Sequence, residues 1–167
     1  DRDPTVARIA RRFPSLRIIR SGRVEDVLVP TILGQKVTGL EAKRAFAYLV
    51  RRYGQPAPGP GELRVPPPAA TLAGLPYAAF HRAGVERTRA VTVIEACRRI
   101  DRLEEASTMA DREARRRRLT AVRGLGPWTA GIVERVAFGD ADAVEILDYH
   151  LPNVVAWTLA GEDRADD

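Results

Sequence analysis

The sequence predicts an all-α protein of six or seven helices that pack as two lobes. Three observations support this fold class. Apolar residues recur at intervals of three and four along the chain, which is the spacing of amphipathic helices. No segment has a convincing strand pattern. A Gly-Leu-Gly-Pro turn at residues 124–127 has apolar residues on both sides, as two helices joined by a tight hairpin require.

The first half of the chain is predicted to hold three helices. Residues 4–13 form a short amphipathic helix that Pro14 ends. Residues 24–33 form a second helix, in which Pro30 marks a kink or a late start. Thr38 is expected to cap a third helix over residues 39–53.

The second half is predicted to begin with a long loop. Residues 54–76 contain most of the prolines and are expected to be exposed and semi-rigid. Helices are then predicted over residues 77–83, 87–103 and 104–121. The last carries a run of arginines that is expected on a solvated face, the alternative being that one or two of them contact phosphate. The hairpin unit follows, and a final helix covers residues 151–159.

Charge and cysteine content narrow the classes of function. Lysine and arginine number 27 against 22 acidic residues, a net charge of +5 that favours a polyanionic partner. The single cysteine, Cys97, lies on an apolar helical stripe and is predicted to be a core residue. The sequence has no Cys/His cluster for zinc or an iron–sulfur centre. Without a signal peptide or an apolar run of spanning length, we expect an intracellular protein.

The hairpin at residues 124–127 is predicted to bind an anion. Its two glycines leave the backbone amides accessible, and the dipole of the following helix favours negative charge. The alternative is a plain connection between packed helices, which Gly-Pro commonly marks. The pattern LxxVxGLGxxxAxxV constrains both flanks of the turn and therefore favours a helix-hairpin-helix that binds DNA.

Three segments resemble the helix-hairpin-helix DNA glycosylase superfamily, in the branch of bacterial 3-methyladenine DNA glycosylase II. They are TILGQKVTGLEAKRA at residues 31–45, AGVERTRA at residues 83–90 and VRGLGPWTAGIVERVAFGDADAVEILDYHL at residues 122–151. The resemblance implies one glycosylase domain over residues 1–167 with a cleft between two lobes. Residues 24–118 would form mainly the first lobe, and residues 1–23 and 119–167 the second.

Asp148 is the candidate catalytic residue. Its spacing alone indicates the N-cap of the last helix, whereas the resemblance places it where the family has its catalytic aspartate. An ionised carboxylate beside a deoxyribose stabilises an oxocarbenium-like centre or orients a water. Three neighbouring acids are predicted to be solvated members of a connecting loop: Asp140, Asp142 and Glu145.

The resemblance also implies a pocket for the base. Trp128 stands where bifunctional relatives have a lysine nucleophile, which implies a monofunctional enzyme without a lyase step. An indole there would stack on a cationic base, although a core aromatic is the alternative. Tyr149, Ile132 and His150 would complete the pocket, with Ile132 in place of a tyrosine in the best-known relative.

The candidate DNA contacts lie on the hairpin and on two earlier turns. They are Gly124, Leu125, Gly126, Arg123, Thr129, Gln35, Lys36, Arg87 and Arg89. Lys36 stands where the family inserts an apolar wedge into the gap left by a flipped base, although it could also be a solvated side chain. No organic cofactor or catalytic metal is expected. In related complexes a monovalent cation joins the phosphate to hairpin carbonyls, here those of Thr120, Val122 and Leu125.

The sequence therefore predicts a monomeric, monofunctional DNA glycosylase of base excision repair. It would hydrolyse the N-glycosidic bond of alkylated purines of the 3-methyladenine type in duplex DNA, in the bacterial cytoplasm near the nucleoid. The alternative is a non-catalytic helix-hairpin-helix module, and a third hypothesis makes Lys36 a lyase nucleophile. We also expect the chain to be part of a longer protein, because the acidic GEDRADD end does not close the last helix.

Overall fold

The computed structural model describes residues 3–165 and is about 60% helical, so the predicted all-α class is confirmed. The described residues form ten α-helices: α1 (Pro4–Arg12), α2 (Val24–Leu33), α3 (Gly39–Tyr53), α4 (Ala69–Gly74), α5 (Tyr77–Arg82), α6 (Arg87–Arg98), α7 (Ile100–Glu104), α8 (Arg112–Leu119), α9 (Pro127–Phe138) and α10 (Leu151–Ala160). A 3₁₀ turn, Glu105–Thr108, precedes α8, and two short strands, β1 (Gln55–Pro56) and β2 (Arg64–Val65), pair antiparallel. None of the described helices is long and apolar enough to cross a membrane.

Helix α2 is the centre of the fold. Seven of its ten residues are buried, and it packs against α3, α6, α7 and α9. One cluster of buried apolar side chains joins α2 to both predicted lobes; the lobe boundaries themselves stay a prediction. Cys97 belongs to this cluster, and burial raises the pKa of its thiol to about 12. A thiol that stays protonated at neutral pH is a core residue and not a nucleophile.

The early helices follow the predicted bounds. Helix α2 runs through Pro30 from its start at Val24, so the expectation of a late start was wrong. Helix α3 begins at a reciprocal cap, in which the hydroxyl of Thr38 accepts the amide of Glu41 and the Glu41 carboxylate accepts the amide of Thr38 at 3.0 Å. This cap fixes the turn that leads from α2 into α3.

The middle of the chain is more broken than predicted. The helix predicted over residues 87–103 ends at Arg98, and α7 starts after Arg99, whose backbone is not helical. The helix predicted over residues 104–121 is interrupted between the 3₁₀ turn and α8. The carboxylate of Glu104 accepts the amides of Val24 and Glu25 at 2.9 Å each, which ties the end of α7 to the start of α2. Because the chain bends at Arg99, the end of α7 reaches the start of α2 and caps it.

The expectation of an exposed, semi-rigid loop over residues 54–76 was also wrong in part. The segment contains the β1–β2 hairpin and helix α4, and α4 packs against α6. Prolines at residues 66–68 lead into α4, since proline suits the start of a helix, where its missing N–H has no intrahelical partner.

The arginine run of α8 is only in part the solvated face that the sequence predicted, since Arg112 and Arg117 are exposed and Arg115 and Arg116 are not. Arg116 Nη2 donates to the buried carboxylate of Glu134 at 2.7 Å, and Arg115 Nη2 to Asp140 at 2.7 Å. Arg112 pairs with the other oxygen of Asp140 at 2.6 Å. These pairs join α8 to α9 and to the residues after it. Asp140 is therefore largely buried in an ion network and not a solvated acid, and so is Glu145, which pairs with Arg135 at 2.6 Å.

Candidate active site

A cleft of about 1170 Å³ separates two groups of elements. One wall comes from the turn after α2 and the starts of α3 and α6. The other comes from the hairpin, the start of α9 and the residues before α10. Its lining includes residues from each of these elements: Gln35, Lys36, Val37, Thr38, Glu41, Glu86, Thr88, Arg89, Thr92, Gly124, Gly126, Trp128, Thr129, Leu147, Asp148, Tyr149 and His150.

Asp148 and Trp128 meet in this cleft. The indole N–H of Trp128 donates to Oδ2 of Asp148 at 2.8 Å. The other oxygen, Oδ1, accepts the backbone amides of His150 and Leu151 at 2.9 Å each. Asp148 is half-buried, so the carboxylate is held on both oxygens and still faces the cleft.

Asp148 caps the start of α10 as expected, although His150 occupies the N-cap position itself, and the catalytic role of Asp148 stays a prediction. His150 is the first flanking residue of α10, and its own side chain caps nothing. Asp148 instead satisfies the first free amides of α10 from two residues upstream. The carboxylate caps α10 through Oδ1 and also lines the cleft, where Oδ2 accepts the indole N–H of Trp128.

These contacts keep Asp148 ionised. The hydrogen bond from Trp128 lowers the pKa of the carboxyl below its ordinary value, and the amides of His150 and Leu151 lower it further against the opposing effect of burial. The pKa falls because each donor stabilises the carboxylate more than the neutral acid.

One face of α9 carries the loop that contains Asp148. Trp128, Gly131 and Arg135 are three and four residues apart, so they lie in a row on one side of the helix. Trp128 donates to Asp148, and Arg135 pairs with Glu145. At Gly131 the loop comes so close that a Cβ would lie 2.4 Å from the carbonyl oxygen of Val144. Three contacts therefore fix residues 144–148 against α9.

The hairpin is held by packing from the opposite wall. Gly124 has a φ of +93°, and a Cβ there would lie 2.4 Å from the hydroxyl of Thr92. Gln35 donates its side-chain amide to the carbonyl of Gly124 at 2.9 Å and to the hydroxyl of Thr129 at 3.0 Å. Only glycine fits position 124, and the turn after α2 is fastened to the hairpin.

The hairpin leaves donors free for an anion. Among residues 3–165 the backbone amides of Gly124 and Gly126 have no hydrogen-bond partner, and no side chain caps α9. A Cβ on Gly126 would meet nothing within 4 Å. The side chain of Leu125 is buried in the core, and this burial anchors the turn. The site has the donors and the space that a phosphate needs.

The basic candidates occupy different environments. Lys36 and Arg123 are exposed, and Lys36 lies on the cleft wall. Arg89 is 8% exposed and donates to the carbonyl of Leu33 at 2.8 Å, so it supports the end of α2. Arg87 stacks over the ring of Tyr77 at 5.6 Å and does not line the cleft. Thr129 is buried, with its hydroxyl occupied by Gln35.

Three of the four predicted pocket residues, Trp128, Tyr149 and His150, line the cleft, but Ile132 does not. Tyr149 and His150 line it, with their rings edge to face at 4.9 Å. Ile132 packs partly buried against the core, as a correction to its predicted place. It lies one helical turn beyond Trp128, about 6 Å further along the axis of α9, which takes it away from the cleft.

Known structures share this architecture. Neither the protein-family models nor the curated protein sequences gave a match. The 3-methyladenine DNA-glycosylase of Archaeoglobus fulgidus superposes with a TM-score of 0.82 at 22% identity, covering 99% of this chain and 56% of that one. The 8-oxoguanine glycosylase/lyase of Clostridium acetobutylicum, in complex with double-stranded DNA, superposes with a TM-score of 0.79 at 16% identity over 99% and 57%. The chain has the helix-hairpin-helix DNA glycosylase fold.

A third structure with the helix-hairpin-helix DNA glycosylase fold is matched over a larger share of its own length. The 3-methyladenine DNA glycosylase of Schizosaccharomyces pombe, in complex with abasic DNA, superposes with a TM-score of 0.73 at 15% identity over 94% of this chain and 76% of that one. Against the first two, by contrast, this chain spans little more than half of the length of the relative.

Several cleft residues of this glycosylase fold were not predicted. Glu41, Glu86 and Thr92 line the cleft, and Glu86 caps α6 by accepting the amides of Thr88 and Arg89. The sequence signals were the T-x-x-E cap at residues 38–41 and the acid just before α6. Leu147 also lines the cleft, and no feature of the sequence indicated it.

Proposed function

We propose that this protein is a monofunctional DNA glycosylase that releases alkylated purines of the 3-methyladenine type from duplex DNA. The observation that carries the proposal is the ionised carboxylate of Asp148, fixed beside the indole of Trp128 in an open cleft next to a hairpin with free amides. The fold is shared with DNA glycosylases, and the residues of the cleft supply the groups that this chemistry needs.

The hairpin would hold the DNA backbone. The amides of Gly124 and Gly126 face outward at the start of α9, where the helix dipole also attracts a phosphate. Exposed Arg123 directly precedes the hairpin glycines, exposed Lys36 lies on the cleft wall, and both would add positive charge. Buried Arg89 would act indirectly, by holding the end of α2 in place.

The cleft would take the extruded base. Its volume of about 1170 Å³ exceeds what one purine requires, and Trp128 and Tyr149 supply aromatic surface. An alkylated purine carries positive charge, which an indole face and the nearby carboxylates of Asp148, Glu41 and Glu86 attract. A neutral purine lacks this attraction and would bind more weakly.

Hydrolysis would then require electrostatic stabilisation of the sugar and no strong general acid. As the bond from C1′ to the base nitrogen breaks, its electron pair leaves with the base and cancels the charge of the alkylated ring. Positive charge develops on the sugar, where the carboxylate of Asp148 stabilises it. A water oxygen bonds to C1′ and gives up a proton to solvent or to the carboxylate, which leaves an abasic site.

A monovalent cation at the hairpin would be a structural aid. The carbonyl oxygens of Thr120, Val122 and Leu125 are neutral donors of the kind that such ions bind. The carbonyl of Val122 accepts the amide of Leu125 at 3.0 Å and keeps a second lone pair. This ion would help hold a phosphate, and no chemical step depends on it.

Asp148→Asn is the test of the proposed function. On methylated duplex DNA under single-turnover conditions, we expect the parent to release 3-methyladenine and the variant to be slower by about a hundredfold or more, because a neutral amide cannot stabilise the sugar cation. Affinity for an abasic duplex should stay within about threefold of the parent value. Asp142→Asn is the matched control, since Asp142 is exposed on the preceding loop.

Two outcomes would replace the proposal. Equal base release by the parent and Asp148→Asn would end the catalytic assignment, and DNA binding without any release by the parent would indicate a non-catalytic module. Borohydride trapping on abasic DNA separates the lyase hypothesis, because a covalent adduct that Lys36→Ala removes would make Lys36 a nucleophile.

A further inference from the structure

Two non-glycine residues among residues 3–165 have a positive φ, and both line the cleft. They are Lys36, with a φ of 55°, and Leu147, with a φ of 69°. L-residues adopt this conformation rarely, because the side chain crowds the following carbonyl. Strain of this kind concentrates at functional sites, and here the two strained residues line one cleft and come from different parts of the chain.

Leu147 sits in a turn that would suit glycine. The amide of Asp148 donates to the carbonyl of Glu145 at 3.1 Å, which closes a four-residue turn with Leu147 at its third position. A positive φ at the third position is the mark of a type II turn, where glycine or asparagine is usual. Leucine therefore costs backbone strain that a glycine would avoid.

Burial does not compensate for this strain. The side chain of Leu147 is 65% exposed, so it adds little to the core. The turn itself is rigid, because Asp148 is bonded to Trp128 and Glu145 is paired with Arg135. The fold thus holds an apolar side chain out of the protein, directly before the candidate catalytic aspartate.

We propose that Leu147 is the apolar wedge that enters the base stack when the target base leaves it; this role rests on the proposed function. Proteins that unstack DNA insert leucine, isoleucine, methionine or phenylalanine between base steps. Leu147 and Val37 are the aliphatic side chains of the described cleft lining, and Val37 is half-buried. Lys36 carries a charge at its tip, so it suits a phosphate of the opposite strand better than a stack of bases.

The experiment separates insertion from chemistry. A duplex with 2-aminopurine beside a tetrahydrofuran abasic analogue reports unstacking by its fluorescence, and it requires no bond cleavage. We expect the parent and Ile146→Ala to raise this fluorescence and Leu147→Gly to leave it near the value of free DNA. Ile146 is the matched control, because it is 45% exposed in the same turn and does not line the cleft.

Stability and base release complete the test. Glycine relieves the positive φ, so the thermal midpoint of Leu147→Gly should be unchanged or higher by about 1–3 °C. Its single-turnover release of 3-methyladenine should fall by about tenfold or more. Leu147→Ala keeps the strain and should show the same losses, so a loss in both variants is not an effect of glycine flexibility.

Specific results would overturn the wedge. Full fluorescence change with Leu147→Gly, or its loss in Lys36→Ala instead, would remove Leu147 from the base stack. A parent protein that raises the fluorescence but releases no base would contradict the proposed function and leave the wedge standing. The two proposals therefore fail by different measurements.

Discussion

The indole N–H of Trp128 and the carboxylate of Asp148 form a hydrogen bond of 2.8 Å across the wall of the cleft. The residues are 20 positions apart in the sequence and come together because α9 and the loop before α10 pack side by side. A tryptophan expected to stack on a base is thus also the donor that positions the acid. This double role is what the first prediction separates.

Trp128→Phe keeps an aromatic ring and removes the donor. We expect single-turnover base release to fall by about tenfold, since a hydrogen bond to a charged group contributes roughly 1.5–3 kcal/mol and part of it is regained from water. Trp157→Phe is the control, because Trp157 is 63% exposed on α10. Equal rates for Trp128→Phe and the parent would mean that the indole N–H does not position the acid.

The pH dependence of Asp148 follows from the same contacts. Hydrogen bonds from Trp128, His150 and Leu151 lower its pKa, so the carboxylate should stay ionised as the pH falls through the ordinary value of 3.8. The associated stabilisation is present above that value and is lost only as the pH falls through the lower, folded pKa. A carbon-13 NMR titration of the Asp148 carboxyl measures this pKa directly. In Trp128→Phe the titration should shift to higher pH, and an unchanged midpoint would contradict the assigned cause.

The sequence indicated the candidate site residues more readily than the contacts that hold them in place. Local spacing in the segment at residues 122–151 indicated the hairpin and a cap at Asp148, because turns and caps form within a few residues. The resemblance of that segment to a known family singled out Asp148 and Trp128 as candidate site residues. Partners that depend on tertiary packing were not predictable. Gln35 bonds to Gly124 and Thr129 about 90 residues away, and Arg116 finds Glu134 on another helix. The positive φ of Leu147 has no signature in a sequence, since leucine there is contrary to turn preferences.

Gly131→Ala should disturb the candidate site through the face of α9 that supports the Asp148 loop. Alanine at an exposed helical position is normally stabilising relative to glycine, but here the new Cβ would lie 2.4 Å from the carbonyl oxygen of Val144. The loop must move off α9, which we expect to cost roughly 1–3 kcal/mol of the free energy of unfolding. Because the loop carries Asp148, base release should fall as well. Urea denaturation and single-turnover rates measure the two effects, and a stabilised, fully active variant would show that the loop adapts.

The two hairpin glycines should respond differently to alanine. Gly126→Ala introduces a Cβ into open space at an ordinary φ, so stability should hold within about 0.5 kcal/mol. The methyl group would nevertheless stand between the free amides and a phosphate, so DNA affinity should fall by about tenfold. Gly124→Ala has a positive φ and a clash with Thr92, and it should lose stability first. Fluorescence anisotropy with a labelled duplex, alongside thermal unfolding, distinguishes the two.

Glu134→Gln tests the ion network that joins α8 to α9. Glu134 is fully buried between Arg116 at 2.7 Å and Arg115 at 3.8 Å. A neutral amide leaves the guanidinium of Arg116 without its counter-charge and Arg115 with Asp140 alone, which we expect to cost about 2–4 kcal/mol of the free energy of unfolding. For a chain of this length each kcal/mol lowers the thermal midpoint by about 2–4 °C. Glu113→Gln is the control, since the Glu113–Arg117 pair is exposed and should contribute little. Similar midpoints for both variants would mean that the buried Glu134–Arg116 pair contributes no more to stability than the exposed pair does.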